Sequence, residues 1–202
     1  MLIELVKAYG IVPVLVLEEE QRARRIGELL VENNLPIVEL TLRTSSAFRS
    51  LQELAKNNRL CVGVGSVQSV DQLKKAHSLG AQFAVSAGFN NKLVATAADL
   101  GMDYLPGVAT PTEILSAVDN GIEVVKWFPA EALGGIKTLN AISAPFPNVK
   151  FVPTGGITRV SRFEYLALDA VIGIGGSWMF SKSQQDNEYF NDLRESLTEI
   201  SK

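Results

Sequence analysis

Residues 11–42, IVPVLVLEEEQRARRIGELLVENNLPIVELTL, decide the fold of this chain. Two short apolar runs, IVPVLVL and IVELTL, stand on either side of a charged stretch. Within that stretch, Ile26, Leu29 and Leu30 recur at helical spacing among Glu and Arg. The segment therefore predicts a buried strand, an amphipathic helix over 18–32 and a second buried strand.

Similar apolar runs recur at regular intervals along the rest of the chain. They are LCVGVGS from Leu60, FAVSAG from Phe83, DYLPGVA from Asp103, EVVKWFPA from Glu123, KFVPTGG from Lys150 and AVIGIGGS from Ala170. Parallel strands need helical crossovers and covered faces, so eight such runs favour a closed (β/α)8 TIM barrel. An open doubly wound sheet is the alternative. We also expect short helices at 2–9 and 187–200, and a single domain over 1–202.

The composition excludes several classes of function. Hydrophobic residues make up 47% of the chain and charged residues 20%, which is ordinary for a protein that folds by packing. A net charge of -3 without a basic tract argues against a nucleic-acid partner. No apolar run is long enough for a membrane span and the N-terminus lacks a signal peptide, so we expect a cytoplasmic protein with no membrane partner. The single cysteine, Cys61, is expected to be a buried, reduced thiol.

The second apolar run carries polar residues on one face. In a (β/α)8 barrel, catalytic residues lie at the C-terminal ends of the strands. Glu39, Thr41 and Arg43 share a face because side chains alternate along a strand. The apolar residues between them must contact the helices, so the three polar groups point into the barrel. A buried charge needs a partner or a catalytic role, and a Glu39–Arg43 ion pair is the alternative without chemistry.

Lys126 lies inside the sixth apolar run, on the same face as Val124 and Phe128. It is therefore expected to point into the barrel. Burial disfavours the ammonium form of an amine, and a neutral amine is a nucleophile toward carbonyl groups. Glu39, on another inward face, could accept the proton. The alternatives without catalysis are a snorkelling lysine and an ion-paired lysine.

Two glycine-rich strand ends predict a phosphate site. Thr154, Gly155 and Gly156 follow the seventh run, and Gly176 and Ser177 follow the eighth. Loops after these two strands form a recurrent phosphate site in such barrels, where backbone N–H groups and a helix N-terminus hold the anion. Tight turns are the alternative explanation of these glycines.

The remaining polar residues are less informative. His77 sits near the end of a helical stretch, Glu131 is a candidate helix cap, and no cluster of metal ligands occurs, so no metal or cofactor is expected. An inward amine, carboxylate and guanidinium beside a phosphate cradle suit a substrate with a reactive carbonyl, a carboxylate and a distal phosphate. A Schiff-base aldolase uses all four groups and needs no metal ion.

Motifs spread over nearly the whole chain carry a family resemblance. They are IVPVLVLEEE, VELTLRT, VGVGSV, AQFAVSAGF, PGVATPTE, VVKWFPAEALGG, PTGGI and IGGSW. They resemble the 2-keto-3-deoxy-6-phosphogluconate (KDPG) aldolase family, whose members often also cleave 4-hydroxy-2-oxoglutarate. The ELTLRT segment and the KxFPAExxGG pattern are the most specific. The resemblance implies a class I aldolase of the Entner–Doudoroff pathway that yields pyruvate and glyceraldehyde 3-phosphate, and a homotrimer.

The resemblance also implies roles for individual residues. Lys126 would form the imine with pyruvate or substrate, and Glu39 would be the general acid/base, acting through a water. Arg43 would bind the substrate carboxylate. Phe128 would pack beside the imine. The other substrate-binding residues would be Ser66 and Thr154 at the keto acid, and Gly155, Gly156, Gly176 and Ser177 at the phosphate.

Three residues depart from the family pattern: Val64 in place of Ala, Ser66 in place of Thr, and Ala87 in place of Pro. All three are expected near the mouth of the barrel. There Val64 would narrow the cavity, and Ala87 would loosen the end of the fourth strand. These departures leave the preferred substrate and the rate open.

Two rival functions also stay open. One is a phosphosugar epimerase or isomerase of the phosphate-binding barrel type, with Lys126 and Glu39 as acid and base and no imine. The other is a non-catalytic protein that binds a phosphorylated metabolite. The combination of Glu39, Arg43 and Lys126 counts against the second rival.

Overall fold

The computed structural model describes residues 1–180, 183 and 185–200. Within those residues, strands and helices alternate along the chain. The strands are β1 (Ile11–Leu15), β2 (Ile37–Thr41), β3 (Cys61–Gly65), β4 (Phe83–Val85), β5 (Asp103–Leu105), β6 (Gly107–Val108), β7 (Val124–Trp127), β8 (Lys150–Pro153) and β9 (Ile174–Gly176). The helices are α1 (Leu2–Tyr9), α2 (Ala23–Glu32), α3 (Ala47–Ala55), α4 (Val70–Ser78), α5 (Asn91–Asp99), α6 (Pro111–Asp119), α7 (Gly135–Ser143), α8 (Arg162–Leu166) and α9 (Asp186–Ile200).

The strands form a closed parallel barrel. Strands β1 to β5 are paired in chain order, β9 pairs with β1, and β6, β7 and β8 are paired in chain order. Isolated bridges from Phe151 to Val171 and from Thr154 to Gly175 join the β8 side to the β9 side. The ring therefore closes, which confirms the predicted (β/α)8 barrel and rules out the open sheet.

The fifth predicted strand is divided in two. Pro106 separates β5, which pairs with β4, from β6, which pairs with β7. Proline cannot donate a backbone hydrogen bond, so the ladder breaks at that residue. Its carbonyl still accepts from the N–H of Lys126, at 2.9 Å. The divided strand thus keeps the ring continuous beside Lys126.

Helix α1, predicted from the sequence over 2–9, lies across the N-terminal end of the barrel. Leu2 donates its backbone N–H to the Asp103 carboxylate at the start of β5, at 2.6 Å. On the other side of the ring, Val6 packs against Gly173 just before β9, where a Cβ would collide with it. One short helix therefore reaches two distant strand starts and closes the N-terminal end of the barrel.

The C-terminal helix α9 begins one residue earlier than predicted and packs on α2. The predicted helix over 18–32 begins as a 3₁₀ turn, whose Arg22 is buried and donates from Nε to Asp186 at 2.7 Å. The same guanidinium lies 4.8 Å from the centre of the Tyr189 ring. These contacts fasten α9 to the segment that follows β1. None of the helices in the described part of the chain is long and apolar enough to cross a membrane.

Candidate active site

A cavity of about 230 Å³ lies at the C-terminal ends of the strands. All the residues predicted to form the site lie on its walls: Glu39, Arg43, Ser66, Lys126, Phe128, Thr154, Gly155, Gly156, Gly176 and Ser177. The lining also includes Val14, Thr41, Ala87, Ile157 and Gly175. The strand ends thus bring together residues that are far apart in the sequence.

Lys126 and Glu39 form a buried ion pair across the cavity. Nζ of Lys126 lies 3.1 Å from Oε1 and 3.4 Å from Oε2 of Glu39. The ring of Phe128 flanks the ammonium group, with its centre 5.4 Å from Nζ. The contact is direct, whereas the resemblance implies a relay through water. Lys126 is therefore ion-paired, as in one of the alternatives drawn from the sequence. The same contact would also allow a proton to pass from the amine to the carboxylate.

Arg43 does not pair with Glu39, so the alternative of a Glu39–Arg43 ion pair is wrong. Arg43 lies in the turn after β2 and is exposed, while Glu39 lies within β2 and is buried. The guanidinium therefore reaches the rim of the cavity. There it is available to an anionic group of a ligand.

The bare backbone of β3 makes room for the Glu39 carboxylate. A Cβ at Gly65 would collide with Oε1 of Glu39, and a Cβ at Gly63 would collide with the ring of Phe83. These glycines face the barrel interior, so Val64 between them faces the helices. Val64 is fully buried and is not part of the cavity wall. The expectation that Val64 narrows the cavity is therefore wrong.

Ser66 ends β3 in the left-handed region of backbone conformation, with φ of 60°. That conformation costs a residue with a side chain roughly 1–2 kcal/mol. In the described part of the chain, Asn34 is the other non-glycine residue with positive φ. Strained residues of this kind cluster at functional sites, and Ser66 lines the cavity. The sequence identifies Ser66 as a candidate but gives no sign of its backbone conformation.

The glycine-rich loop after β8 forms one end of the cavity. Gly155 and Gly156 have φ of 103° and 82°, values that side chains rarely allow. The N–H groups of Gly156 and Ile157 donate to no other group in the described part of the chain. Helix α8 begins only at Arg162 and contributes nothing to the cavity wall, so among the described residues the loop after β8 brings no helix N-terminus to this end. The loop itself supplies the donors.

Glu131 is not a helix cap. Helix α7 has Gly134 at its N-cap position, without a side-chain hydrogen bond. Instead, Oε1 of Glu131 accepts a hydrogen bond from the Tyr165 hydroxyl at 2.6 Å. Burial, and then this hydrogen bond, raise the pKa of Tyr165 well above its usual value, so the hydroxyl remains a donor. No sequence pattern indicates this pair, because its members are 34 residues apart.

The loop after β4 is held by Ser86. Its Oγ lies 2.6 Å from the carbonyl oxygen of Gly88 and 2.6 Å from the Tyr104 hydroxyl. Ala87, next in the chain, lines the cavity, and a Cβ at Gly107 would collide with the Ala87 carbonyl. The segment expected to loosen without proline is therefore packed closely against β6.

Thr41 is a further residue of the cavity wall. It is buried, and its hydroxyl has no hydrogen-bond partner in the described part of the chain. The described residues also contain no group of three or more His, Cys, Asp or Glu side chains that could hold a metal ion. The chemical groups that the site offers are therefore an amine, a carboxylate, a guanidinium, hydroxyls and free backbone donors.

Comparison with known families identifies the family of this chain. Residues 2–195 match the family described as KDPG and KHG aldolase. The chain belongs to this aldolase family. The family match confirms the resemblance seen in the sequence motifs and makes the chain an aldolase, a carbon–carbon lyase.

Individual aldolases of this family are similar in sequence and in structure. The KHG/KDPG aldolase of Escherichia coli strain K12 is 39% identical over 84% of this chain and 80% of its own length. The KDPG aldolase of Legionella pneumophila, solved with pyruvate captured as a covalent carbinolamine intermediate, superposes with a TM-score of 0.94. It is 33% identical, covering 100% of this chain and 98% of its own. The KDPG aldolase of Zymomonas mobilis ZM4, solved with 3-phosphoglycerate, has a TM-score of 0.92 at 32% identity, covering 98% and 93% of the two chains.

Proposed function

We propose that this aldolase is a class I enzyme that cleaves KDPG to pyruvate and glyceraldehyde 3-phosphate through an imine on Lys126. We propose that it also accepts 4-hydroxy-2-oxoglutarate. The observation that carries the proposal is the 3.1 Å contact between Nζ of Lys126 and Oε1 of Glu39 inside the cavity. The names of the relatives and the carbinolamine in the Legionella pneumophila enzyme support it.

The walls of the cavity give the substrate one orientation in this proposal. Arg43 at the rim binds the keto-acid carboxylate, and the hydroxyls of Ser66 and Thr154 hold the keto-acid end. Phe128 covers the imine. At the far end, the phosphate binds to the two glycine-rich loops. Its donors there are backbone N–H groups of Gly155, Gly156 and Gly176 and the hydroxyl of Ser177.

Imine formation is the first chemical stage. Glu39 accepts a proton from the Lys126 ammonium group, and the neutral amine attacks the C2 carbonyl carbon of the keto acid. Nζ forms a bond to C2 as the C–O π bond breaks, and a second proton moves from Nζ to the oxygen, which becomes the hydroxyl of a carbinolamine. Protonation of that hydroxyl by Glu39 releases water and leaves a cationic imine. The positive charge on Nζ thereby returns, next to the Glu39 carboxylate.

Cleavage and release follow from that imine. Glu39 removes the proton from the C4 hydroxyl, the C3–C4 bond breaks, and its electron pair enters the imine to give an enamine and a free aldehyde. The enamine then takes a proton at C3, which restores the imine as the pyruvate adduct. Water adds to C2, and the amine of Lys126 leaves with release of pyruvate. Every proton moves within reach of one carboxylate.

The direct test traps the imine with borohydride. The protein is incubated with pyruvate, reduced, and analysed by intact mass and peptide mapping. We expect one reduced pyruvate per chain, on Lys126, and no adduct in Lys126→Ala. Turnover of KDPG should also be lost in Lys126→Ala, measured as pyruvate released.

The matched control is Lys150→Ala, which removes a lysine from the start of the neighbouring strand β8, where its Nζ donates to the carbonyl of Asp169. That variant should be labelled and should turn over like the unaltered protein. Folded protein that forms no adduct would favour an epimerase or a protein that only binds a phosphorylated metabolite. Full activity in Lys126→Ala would exclude the imine mechanism.

We also propose that the chain forms a homotrimer in the cytoplasm. The trimer is supported by family membership, and light scattering after gel filtration would test it against the 21.9 kDa chain mass. The location is supported by the single cysteine, Cys61, which is a buried free thiol, since cytosolic proteins rarely carry disulfides. Fractionation of the source cells would test the location.

A further inference from the structure

A hydrogen bond lies directly behind the glycine-rich end of the cavity. The hydroxyl of Tyr165 donates to Oε1 of Glu131 at 2.6 Å. Tyr165 is fully buried, and neither residue is part of the cavity wall. Glu131 itself is exposed, so the bond joins a buried hydroxyl to a carboxylate near the surface. A hydrogen bond to a carboxylate is stronger than one between neutral groups. Because the two side chains do not line the cavity, the proposed reaction steps assign no role to this hydrogen bond.

Glu131 is fixed to the loop through its backbone. Its N–H donates to the carbonyl oxygen of Gly155 at 3.0 Å, and the N–H of Ala130 donates to that of Thr154 at 2.8 Å. These bonds continue the pairing of β7 and β8 beyond the ends of the two strands. The first half of the loop after β8 is therefore held by the segment that follows Lys126.

Glu131 also supports the loop through its side chain. A Cβ placed on Gly156 would lie 2.6 Å from Cβ and 2.8 Å from Cγ of Glu131. The stem of Glu131 thus fills the space on the protein side of Gly156 and leaves the opposite side of that residue to the cavity. Movement of this stem would move Gly156.

Tyr165 supports the far end of the same segment. It lies in α8, which follows the loop after a turn in which Thr158 and Ser161 bond each other reciprocally at 3.0 and 3.1 Å. The chain from Gly155 to Tyr165 is therefore tied at both ends to Glu131. One tie is a backbone bond and the other is the carboxylate bond.

The same bond fixes where the negative charge of Glu131 lies. The two carboxylate oxygens lie 3.6 and 3.8 Å from the position that a Cβ on Gly135 would occupy, at the first residue of α7. Negative charge is favourable at a helix N-terminus. A carboxylate released from Tyr165 would be free to approach the phosphate of a substrate, which it would repel.

We propose that Glu131 and Tyr165 are positioning residues that hold the Gly156 N–H group toward the substrate phosphate and keep a carboxylate away from it. This inference rests on the proposed function and deepens it. The pair acts on the phosphate only and not on the imine. It therefore sets the preference for phosphorylated over unphosphorylated 2-keto acids.

Tyr165→Phe tests the proposal because it removes one hydroxyl and keeps the ring. We expect KM for KDPG to rise about 5- to 10-fold, the loss expected for one hydrogen bond. KM for 4-hydroxy-2-oxoglutarate, which lacks a phosphate, should stay unchanged, and kcat should stay within about twofold for both substrates. Glu131→Gln keeps an oxygen that accepts from Tyr165, so its KM for KDPG should stay close to the original value.

Tyr189→Phe is the matched control, since it removes the hydroxyl of another buried tyrosine, on α9. It should leave both KM values unchanged. An equal change in KM for the two substrates of Tyr165→Phe, or no change in either, would overturn the proposal. If Tyr165→Phe does not fold, Glu131→Ala tests the positioning alone: loss of the stem behind Gly156 should raise KM for KDPG and leave KM for 4-hydroxy-2-oxoglutarate unchanged. An equal change for both substrates, or no change, would again overturn the proposal. Failure of the proposed function is separate, because unaltered protein would then form no borohydride adduct with pyruvate.

Discussion

Glu39 and Lys126 each hold a charge that is buried and compensated by the other. In the resting site the carboxylate neutralises the ammonium group. In the proposed mechanism it faces a cationic imine nitrogen at the same place. A buried pair of this kind contributes little net stability, because removing two charges from water offsets their attraction. In the proposed mechanism its contribution is to chemistry, through a proton acceptor that is already within reach of the amine.

Glu39→Gln separates the two stages of the reaction. The amide cannot accept a proton, so we expect kcat for KDPG cleavage to fall by about 10²- to 10⁴-fold. Borohydride should still trap pyruvate on Lys126, more slowly, because the amine itself remains. Both are measured on folded protein, by pyruvate release and by intact mass. Glu123→Gln, at the exposed start of the Lys126 strand, should leave both unchanged; retention of full turnover in Glu39→Gln would remove this carboxylate from the mechanism.

Strand β3 carries two inward-facing glycines, and each makes room for a different side chain. Gly65 gives room to the Glu39 carboxylate, and Gly63 gives room to the ring of Phe83 in the core. We expect Gly65→Ala to displace the carboxylate and lower kcat by at least about 10²-fold, with a small loss of stability. Gly63→Ala should instead lower the free energy of unfolding by about 1–3 kcal/mol, since an overpacked core must shift.

Kinetics and urea unfolding of the two variants distinguish these effects. The comparison is internal, because both changes add one methyl group to the same face of one strand. Similar losses of stability and activity in both variants would show that either methyl group disturbs the whole of β3. The assignment of separate tasks to its two glycines would then be wrong.

The sequence predicts the strands and helices better than it predicts strand breaks, the conformation of strand ends and contacts between distant segments. Side chains alternate along a strand, and the apolar residues next to Glu39 and Lys126 are needed on the face that contacts the helices. This alternation therefore predicts that both polar side chains point into the barrel. Apolar patterning alone does not divide the fifth strand at Pro106, because Leu105 and Val108 continue the run on the two sides of the proline. The left-handed conformation of Ser66 and the bond between Glu131 and Tyr165 depend on contacts between distant segments. No local pattern encodes them.

At the scale of the whole molecule, Arg22 joins the first loop of the barrel to the last helix. Its guanidinium is buried, bonds Asp186 and stacks on Tyr189. We expect Arg22→Ala to lower the free energy of unfolding by about 1–3 kcal/mol, because a charge-assisted bond and a cation–π contact are both lost. Urea unfolding measures this.

Arg24→Ala is the matched control two residues further on. Arg24 is exposed and pairs with Glu28 within one helix, so its loss should cost less than about 0.5 kcal/mol. Equal losses in the two variants would mean that α9 is held by its apolar contacts alone. Buried Leu193 and Leu197 on that helix would then be the residues to alter.

The glycine-rich end of the cavity lacks positive charge: in the described chain its lining comprises Thr154 to Ile157 and Gly175 to Ser177. Neutral donors attract a phosphate only over a short range. Added salt therefore weakens this attraction much less than it weakens the attraction of the exposed, charged Arg43 for an anion at the other end. Once the substrate is cut in two, no cation among the described residues of this end holds the phosphorylated half. We therefore expect binding of that product at this end to depend only weakly on the ionic strength of the medium.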